Sequence, residues 1–391
     1  ARGSSMGVLR LVDAVGSAAW TRSGPQGDAW LFANAEVDSQ SFAFQYTRGS
    51  SYTGDMGIAR VEVTCGMLPP KLPPMLPSPN LPPSTPPPPP SPPIAPGTHI
   101  VHSITEVRAK IENATGSGSA LMLWLPPGTT IVLDGSPIEV RAFNLTLSSG
   151  FDGAVIDGEG HSLLFHVYSG ATLEVNSMTL KSGRQHRYAK AGGILTSGFV
   201  SLRQSSIINC TILPGASSVS WMAGGIRVDG GSVTLRESSV SECTADSVSR
   251  VAGGVLITAG IVLLEDSSIL SCSTAYTPGG GNWHAGGIVV YGGSLLFLRS
   301  ALSNCSATIH TGDWSAGGIV VDGDSSSIVL FTASKIFGCS SSAAGGFNAG
   351  GIFLVRSSVA LEGSSVDACT ASYNSWSHNS QYLGGGICVL D

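Results

Sequence analysis

Residues 223–245 read "AGGIRVDGGSVTLRESSVSECTA", and five other stretches repeat that phrase with small changes. The units begin at Ala191, Ala223, Ala252, Ala285, Ala316 and Ala349, and an altered start, Gly384-Gly385-Gly386, follows them. Each unit closes on a cysteine: Cys210, Cys243, Cys272, Cys305, Cys339 and Cys369. A fixed period of about 30 residues means units that stack, each adding one layer to a continuous core. Ten residues before the cysteines stand Val200, Val233, Val262, Leu295, Val329 and Val359. Eight before them stand Leu202, Leu235, Leu264, Phe297, Phe331 and Leu361, and three before them Ile207, Val240, Ile269, Leu302, Ile336 and Val366. Apolar positions two apart, rich in β-branched residues, are the inward side of half-buried strands. Five residues before every cysteine is a serine: Ser205, Ser238, Ser267, Ser300, Ser334 and Ser364. Stacked hydroxyls there can pass hydrogen bonds along a column and satisfy a turn.

Three short strands per turn of about 30 residues predict an all-β chain wound as a right-handed parallel β-helix. The pattern resembles the pectin-lyase-like folds. The stretch from about 191 to 388 is also similar to the Gly-Gly-Ala-Ile and Phe-x-x-Asn repeats of polymorphic outer-membrane proteins. Cysteine stands here where that family stacks Asn, and the Phe position is aliphatic. The resemblance implies the fold; adhesin function does not come with it. Stacked strands lie ~4.8 Å apart, which is within reach of a disulfide, but side chains leaving parallel strands side by side have poor dihedral geometry. The six cysteines are therefore expected to be a structural column of buried thiols, with disulfides as the alternative.

Outside the repeats the composition changes twice. Residues 1–65 alternate apolar and polar residues between turn signals. Trp20, Gly24, Trp30, Phe42, Phe44 and the closing Gly54-Asp55…Ile58…Cys65 resemble the second half of a MAM domain, an extracellular β-sandwich. Alanine stands at Ala59 where acidic residues are common in that family, and Cys65 has no upstream partner. Residues 66–97 hold 16 of the chain's 22 prolines, between Pro69 and Pro96. Such a tract forms polyproline II without a core, and its "PSP" and "PST" units resemble the glycosylated linkers of plant and algal wall proteins. Residues 98–391 are the β-helix, with irregular coils over 98–190 and regular repeats over 191–391. It opens on a capping box, Ser103 with Glu106, and an amphipathic helix bearing Ile104, Val107 and Ile111 on one face. That helix suits a cap over the first rung.

For function, the composition excludes more than it assigns. Charged residues are 12% of the chain and the net charge is −6, so no basic stripe for nucleic acid is present. No apolar run reaches the ~18 residues of a membrane span. The chain opens at Ala1 and stops within a repeat, as a fragment would, and an anchor in a longer parent is compatible with this. Length variation between units concentrates in the segment from each cysteine to the next start, the usual place for binding in repeat proteins. Aromatic residues recur at its end: Tyr188, Trp221, Trp283, Trp314, Phe347 and Tyr382, with Arg250 in place of one in the third unit. They read either as a ladder on which sugar rings stack or as a stripe shielding the strand edge. His284, beside Trp283, reads as a solvated loop residue. Asn113, Asn144, Asn209 and Asn304 head Asn-x-Ser/Thr sequons, and the last two precede an inward cysteine and should point outward. Catalytic pairs are not legible: Asp229 and Asp322 share a column three coils apart, ~14 Å, too far for a glycosidase pair. No metal-ligand spacing and no cofactor motif is present. The expectation is an extracellular or cell-surface glycoprotein whose β-helix presents a face for glycans or partner proteins. Alternatives are a polysaccharide lyase or glycoside hydrolase on this fold, or a structural spacer in a wall or surface layer.

Overall fold

The computed structural model describes residues 8–13, 17–23, 42–47, 57–58, 96–115, 120–185, 190–213, 221–246, 250–275, 283–309, 314–323, 327–343, 346–373 and 380–390. Cys65, nearly all of the proline tract and Tyr188 lie outside them. From residue 98 on, the chain is a right-handed parallel β-helix, the hand that parallel crossovers take. A wide sheet carries the Gly-Gly-aliphatic strand and the Val-x-Leu strand of each coil. A narrow sheet stacks nine parallel strands, from Thr130–Val132 to Ser365–Asp367. Register follows the cysteine alignment rung by rung. Val262 lies between Val233 and Leu295, and Leu264 between Leu235 and Phe297. Ile269 likewise lies between Val240 and Leu302. All of these side chains are buried in one core that runs the length of the helix. At ~1.5–3 kcal/mol per buried aliphatic side chain, this repetition is what stabilises the stack. The six column cysteines are thiols packed in that core. Cys210, Cys243 and Cys272 each donate to the carbonyl two residues back, at 3.6, 3.3 and 3.4 Å. Burial pushes the Cys243 thiol up, so it stays protonated and inert.

The serine column forms a ladder. The amides of Ser205, Ser238, Ser267 and Ser300 each donate to the Oγ of the serine one coil on, at 3.1 Å. Each of those hydroxyls in turn donates to the carbonyl two residues before it. The corner before each serine is a single left-handed residue, and it is not glycine in most coils: Gln204, Glu237, Asp266, Arg299 and Ala333 have φ of 48–49°. A second left-handed corner precedes the cysteines, at Asn209, Glu242, Ser271, Asn304 and Ala368. Such a backbone costs on the order of 1 kcal/mol per non-glycine residue, and the serine bonds hold it in place.

One part of the coil departs from the expected three strands and a loop. The segment from cysteine to the next start is itself two short strands. The outgoing ones stack into a seven-stranded sheet from Arg184–Gln185 to Thr370–Tyr373. The returning ones form a six-stranded sheet from Met222–Ala223 to Ser380–Gly384. The two sheets make an arm along one flank of the helix, and the diglycine is its neck. There the backbone of the outgoing strand presses against the first glycine: a Cβ on Gly253 would stand 2.5 Å from the Ser273 amide nitrogen. Two adjacent residues without side chains are needed for the coil to close.

The first rung is covered by the helix Ile104–Thr115, with Val107 buried and Ile104 and Ile111 packed against the core. Ser103 caps it, accepting from the Glu106 amide at 3.3 Å, and Glu106 reaches back to the His102 amide at 2.7 Å. Near the N-terminus, Val8–Asp13, Ala18–Ser23 and Phe42–Thr47 make a three-stranded antiparallel sheet. Gly57–Ile58 pairs antiparallel with Ile387–Leu390. Among the described residues no helix is long and apolar enough to cross a membrane.

Candidate functional site

The aromatic column lies on the returning sheet, with Trp283, Trp314, Phe347 and Tyr382 in register on successive strands. The rings of Trp283, Trp314 and Phe347 turn toward the outer face of the wide sheet. There Leu256, Val289, Val320 and Phe353 form an outward apolar column, and rings and column close into a second core. Trp283 is only 4% exposed, and its ring centre is 3.8 Å from that of Trp314. Trp221, Trp314 and Phe347 are half-buried. Phe353 is the hub, within 6.2–6.3 Å of Trp283, Trp314 and Phe347. Most of the ring area is spent on packing, and only the outer parts of the half-buried rings are left for a ligand. The side chain of Tyr382 lies outside the described residues.

His284 corrects the expectation of a solvated loop residue. It is fully buried inside the arm, between the returning and outgoing sheets. The reason is strand alternation: Trp283 faces the second core, so its neighbour faces the arm interior. Ser315 and Asn348 occupy the same column, and with Ser341 they form a buried polar network with bonds of 2.8 and 2.9 Å. Burial pulls the His284 pKa from 6.5 down to about 4, so the folded protein keeps this imidazole neutral. Above pH 6.5 both folded and unfolded states carry it neutral. As pH falls from 6.5 toward 4 the unfolded chain takes up a proton that the folded chain refuses, and stability drops by roughly 3 kcal/mol. Unfolding midpoints between pH 7 and 4 should fall more steeply in the wild type than in His284→Gln; equal slopes would reject this.

The four sequon asparagines are exposed. For Asn209 and Asn304 the cause is the left-handed corner, with φ of 53° and 54°, rather than strand alternation. Asp229 and Asp322 stand three coils apart on the outer face, as expected, and each meets a cation: Asp229 pairs with Arg227, and Asp322 lies 3.5 Å from Arg356. Glu265 and Asp266 are close neighbours, but both are held by Arg299, at 3.1 and 2.7 Å. The Arg299 guanidinium keeps the Asp266 carboxyl below its usual range, so it stays ionised and does not supply the protonated acid that hydrolysis needs. Among the described residues no three His, Cys, Asp or Glu side chains gather as metal ligands.

Sequence reasoning missed a polar shelf on the same outer face, which starts in the coils before the returning sheet begins. The outward column that becomes apolar at Leu256 starts as Glu139, His166, Leu195 and Arg227. Two residues on in the first coils stand Arg141 and Tyr168. The Tyr168 ring is stacked between His166, 3.9 Å between centres, and the Arg141 guanidinium, 4.1 Å away. Its hydroxyl donates to Glu139 Oε1 at 3.1 Å and accepts from Arg141 at 2.7 Å. Hydrogen bonding from Arg141 holds the Glu139 carboxyl below its usual range. Burial pulls His166 below its ordinary value, so it is neutral at physiological pH. Further along, Tyr291 is 39% exposed, with the Trp221 ring edge-on at 4.2 Å. The shelf therefore combines fixed hydrogen-bonding groups with accessible ring surface. A sequence signal did exist: apart from Leu195, the outward residues of the first coils are charged or aromatic where later coils carry Leu and Val.

No protein-family model matches the chain, and no curated protein matches it. Among solved structures it is similar to an alginate lyase from Paenibacillus sp. str. FPU-7, at 12% sequence identity and a TM-score of 0.27. That match covers 74% of this chain and 98% of the other. The fold itself rests on the strand pairing described above.

Proposed function

We propose that this is an extracellular or cell-surface protein whose β-helix offers the outer face of its wide sheet to glycans. The observation that carries the proposal is the shelf from Glu139 to Tyr291. Its stack of His166, Tyr168 and Arg141 holds donors and acceptors in fixed positions, and Tyr291 adds exposed ring surface. Planar rings beside preset polar groups suit sugar rings, which present apolar faces and hydroxyl edges, and a preset site loses little entropy on binding. The exposed sequons and the proline tract agree with a secretory route. Immobilised protein on a glycan array should retain a defined set of chains, and Tyr168→Ala with Tyr291→Ala should abolish retention while the unfolding midpoint holds. Unchanged retention in that double variant would reject the shelf as the binding face.

A second reading, elimination on a polyuronate chain, is favoured by one arrangement. A neutral His166 stacked on Tyr168 provides a base and a hydroxyl side by side, with Arg141, shared with Glu139, next to them. Incubation with polyuronates should then generate the ultraviolet absorbance of an unsaturated product, lost in His166→Ala. Bound but uncleaved chains would leave the protein a binder.

A further inference from the structure

The aromatic column has one exception, and the structure gives it a role. Where the other units carry Trp, Phe or Tyr, the third carries Arg250. Its guanidinium lies against two rings, 4.3 Å from the Trp221 centre and 4.9 Å from that of Tyr291. None of the described carboxylates pairs with it, and its buried Nε has no hydrogen-bond partner among the described residues. Stacking uses the faces of a guanidinium and, with Nε buried, leaves the in-plane Nη–H groups to donate, the geometry that grips a carboxylate or sulfate.

The neighbourhood has excess positive charge. Asp229 is the acid paired here, and it is engaged by the Arg227 guanidinium, by the Thr258 hydroxyl at 2.9 Å and by Lys190 at 4.0 Å. Lys190, Arg227 and Arg250 against Asp229 leave a local excess of two positive charges in a chain of net charge −6. The wall is built to stay in place. Trp221 has a left-handed backbone with φ of 76°, and the buried Arg227 fixes it by donating to the Trp221 carbonyl. A strained, bulky residue held by a buried cation marks a position whose orientation matters.

We propose that Arg250, clasped by Trp221 and Tyr291 and supported by Lys190, is the anchor for an anionic group on a polysaccharide, a carboxylate or a sulfate ester. This rests on the glycan-binding face proposed above and names the class of chain it takes. The polymer lies along the shelf, with the anion at Arg250 and neighbouring sugars toward Tyr168.

The experiment is titration calorimetry of the whole chain with a polyuronate, a sulfated galactan and a neutral galactan. Wild type, Arg250→Gln and Arg250→Trp are compared; the last places at 250 what the rest of the column carries. Affinity for one or both anionic chains should fall about tenfold or more in both variants, in line with loss of one charge-assisted bidentate contact. Unfolding midpoints should hold. Which polymer responds separates carboxylate from sulfate. Unchanged affinity of both variants for the anionic chains overturns the role of Arg250. If Tyr168→Ala with Tyr291→Ala still abolishes binding in that case, the glycan-binding face itself stands. No polysaccharide bound by wild type overturns both, and binding of acidic peptides alone overturns the ligand class.

Discussion

Gly253→Ala is expected to remove the cooperative unfolding transition or to move its urea midpoint several times further than a Gly→Ala change in open space. The added Cβ would stand 2.5 Å from the Ser273 amide nitrogen and 2.6 Å from its carbonyl oxygen, and closer still to the Gly286 carbonyl. Ser273 is hydrogen-bonded to Cys243 of the rung before and Gly286 to Ala316 of the rung after, so neither strand can retreat alone. Overpacking in a core costs ~1–3 kcal/mol when neighbours can shift, and here they cannot. Because each coil stabilises the next, damage at one neck spreads along the stack. Gly170→Ala is the control: nothing lies within 4 Å of its Cβ, and only its φ of +78° is unfavourable. It should cost ~1 kcal/mol. Equal midpoints for the two variants would show that the diglycine is not a neck.

Trp283→Ala is the second large effect. It empties a side chain that is 4% exposed and packed on Trp314 and near Phe353. Truncating a buried Trp costs ~3–5 kcal/mol, whereas the half-buried Trp314 should lose less on the same change. The midpoint for Trp283→Ala should therefore lie well below that for Trp314→Ala, and an unshifted midpoint would mean that the rings do not form a core. A loss of ligand binding in Trp283→Ala would report unfolding of the arm rather than a missing sugar contact, which is why the shelf variants are the cleaner probes.

The inward columns were legible because one residue type recurs in each, at a period of two along the strand and 29 to 34 residues between coils. The arm was not. Its strands, such as Thr244–Asp246 and Val251–Ala252, are too short for alternation to show. The corners escaped notice because Gln204, Glu237 and Arg299 hold a left-handed backbone where sequence rules look for Gly or Asn. His284 misled because its burial depends on a facing sheet that pattern alone does not supply. The aromatic column was visible in full, but the packing role of its rings depends on Leu256, Val289, Val320 and Phe353 beneath them, which no local pattern places there. The shelf lay in coils without regular spacing, so Glu139 and His166 had no column to be compared with until strand pairing aligned them. Arg250 stood out in the sequence as a gap in a pattern, and the rings against it give that gap its chemistry.

Recognition on the shelf, with the rings of the later coils engaged in packing, is checked by oxidative side-chain footprinting with and without a bound polysaccharide. Labelling of His166, Tyr168, Trp221 and Tyr291 should fall on binding while that of Trp314 and Phe347 stays unchanged. Protection of Trp314 and Phe347 with Tyr168 and Tyr291 still labelled would contradict it.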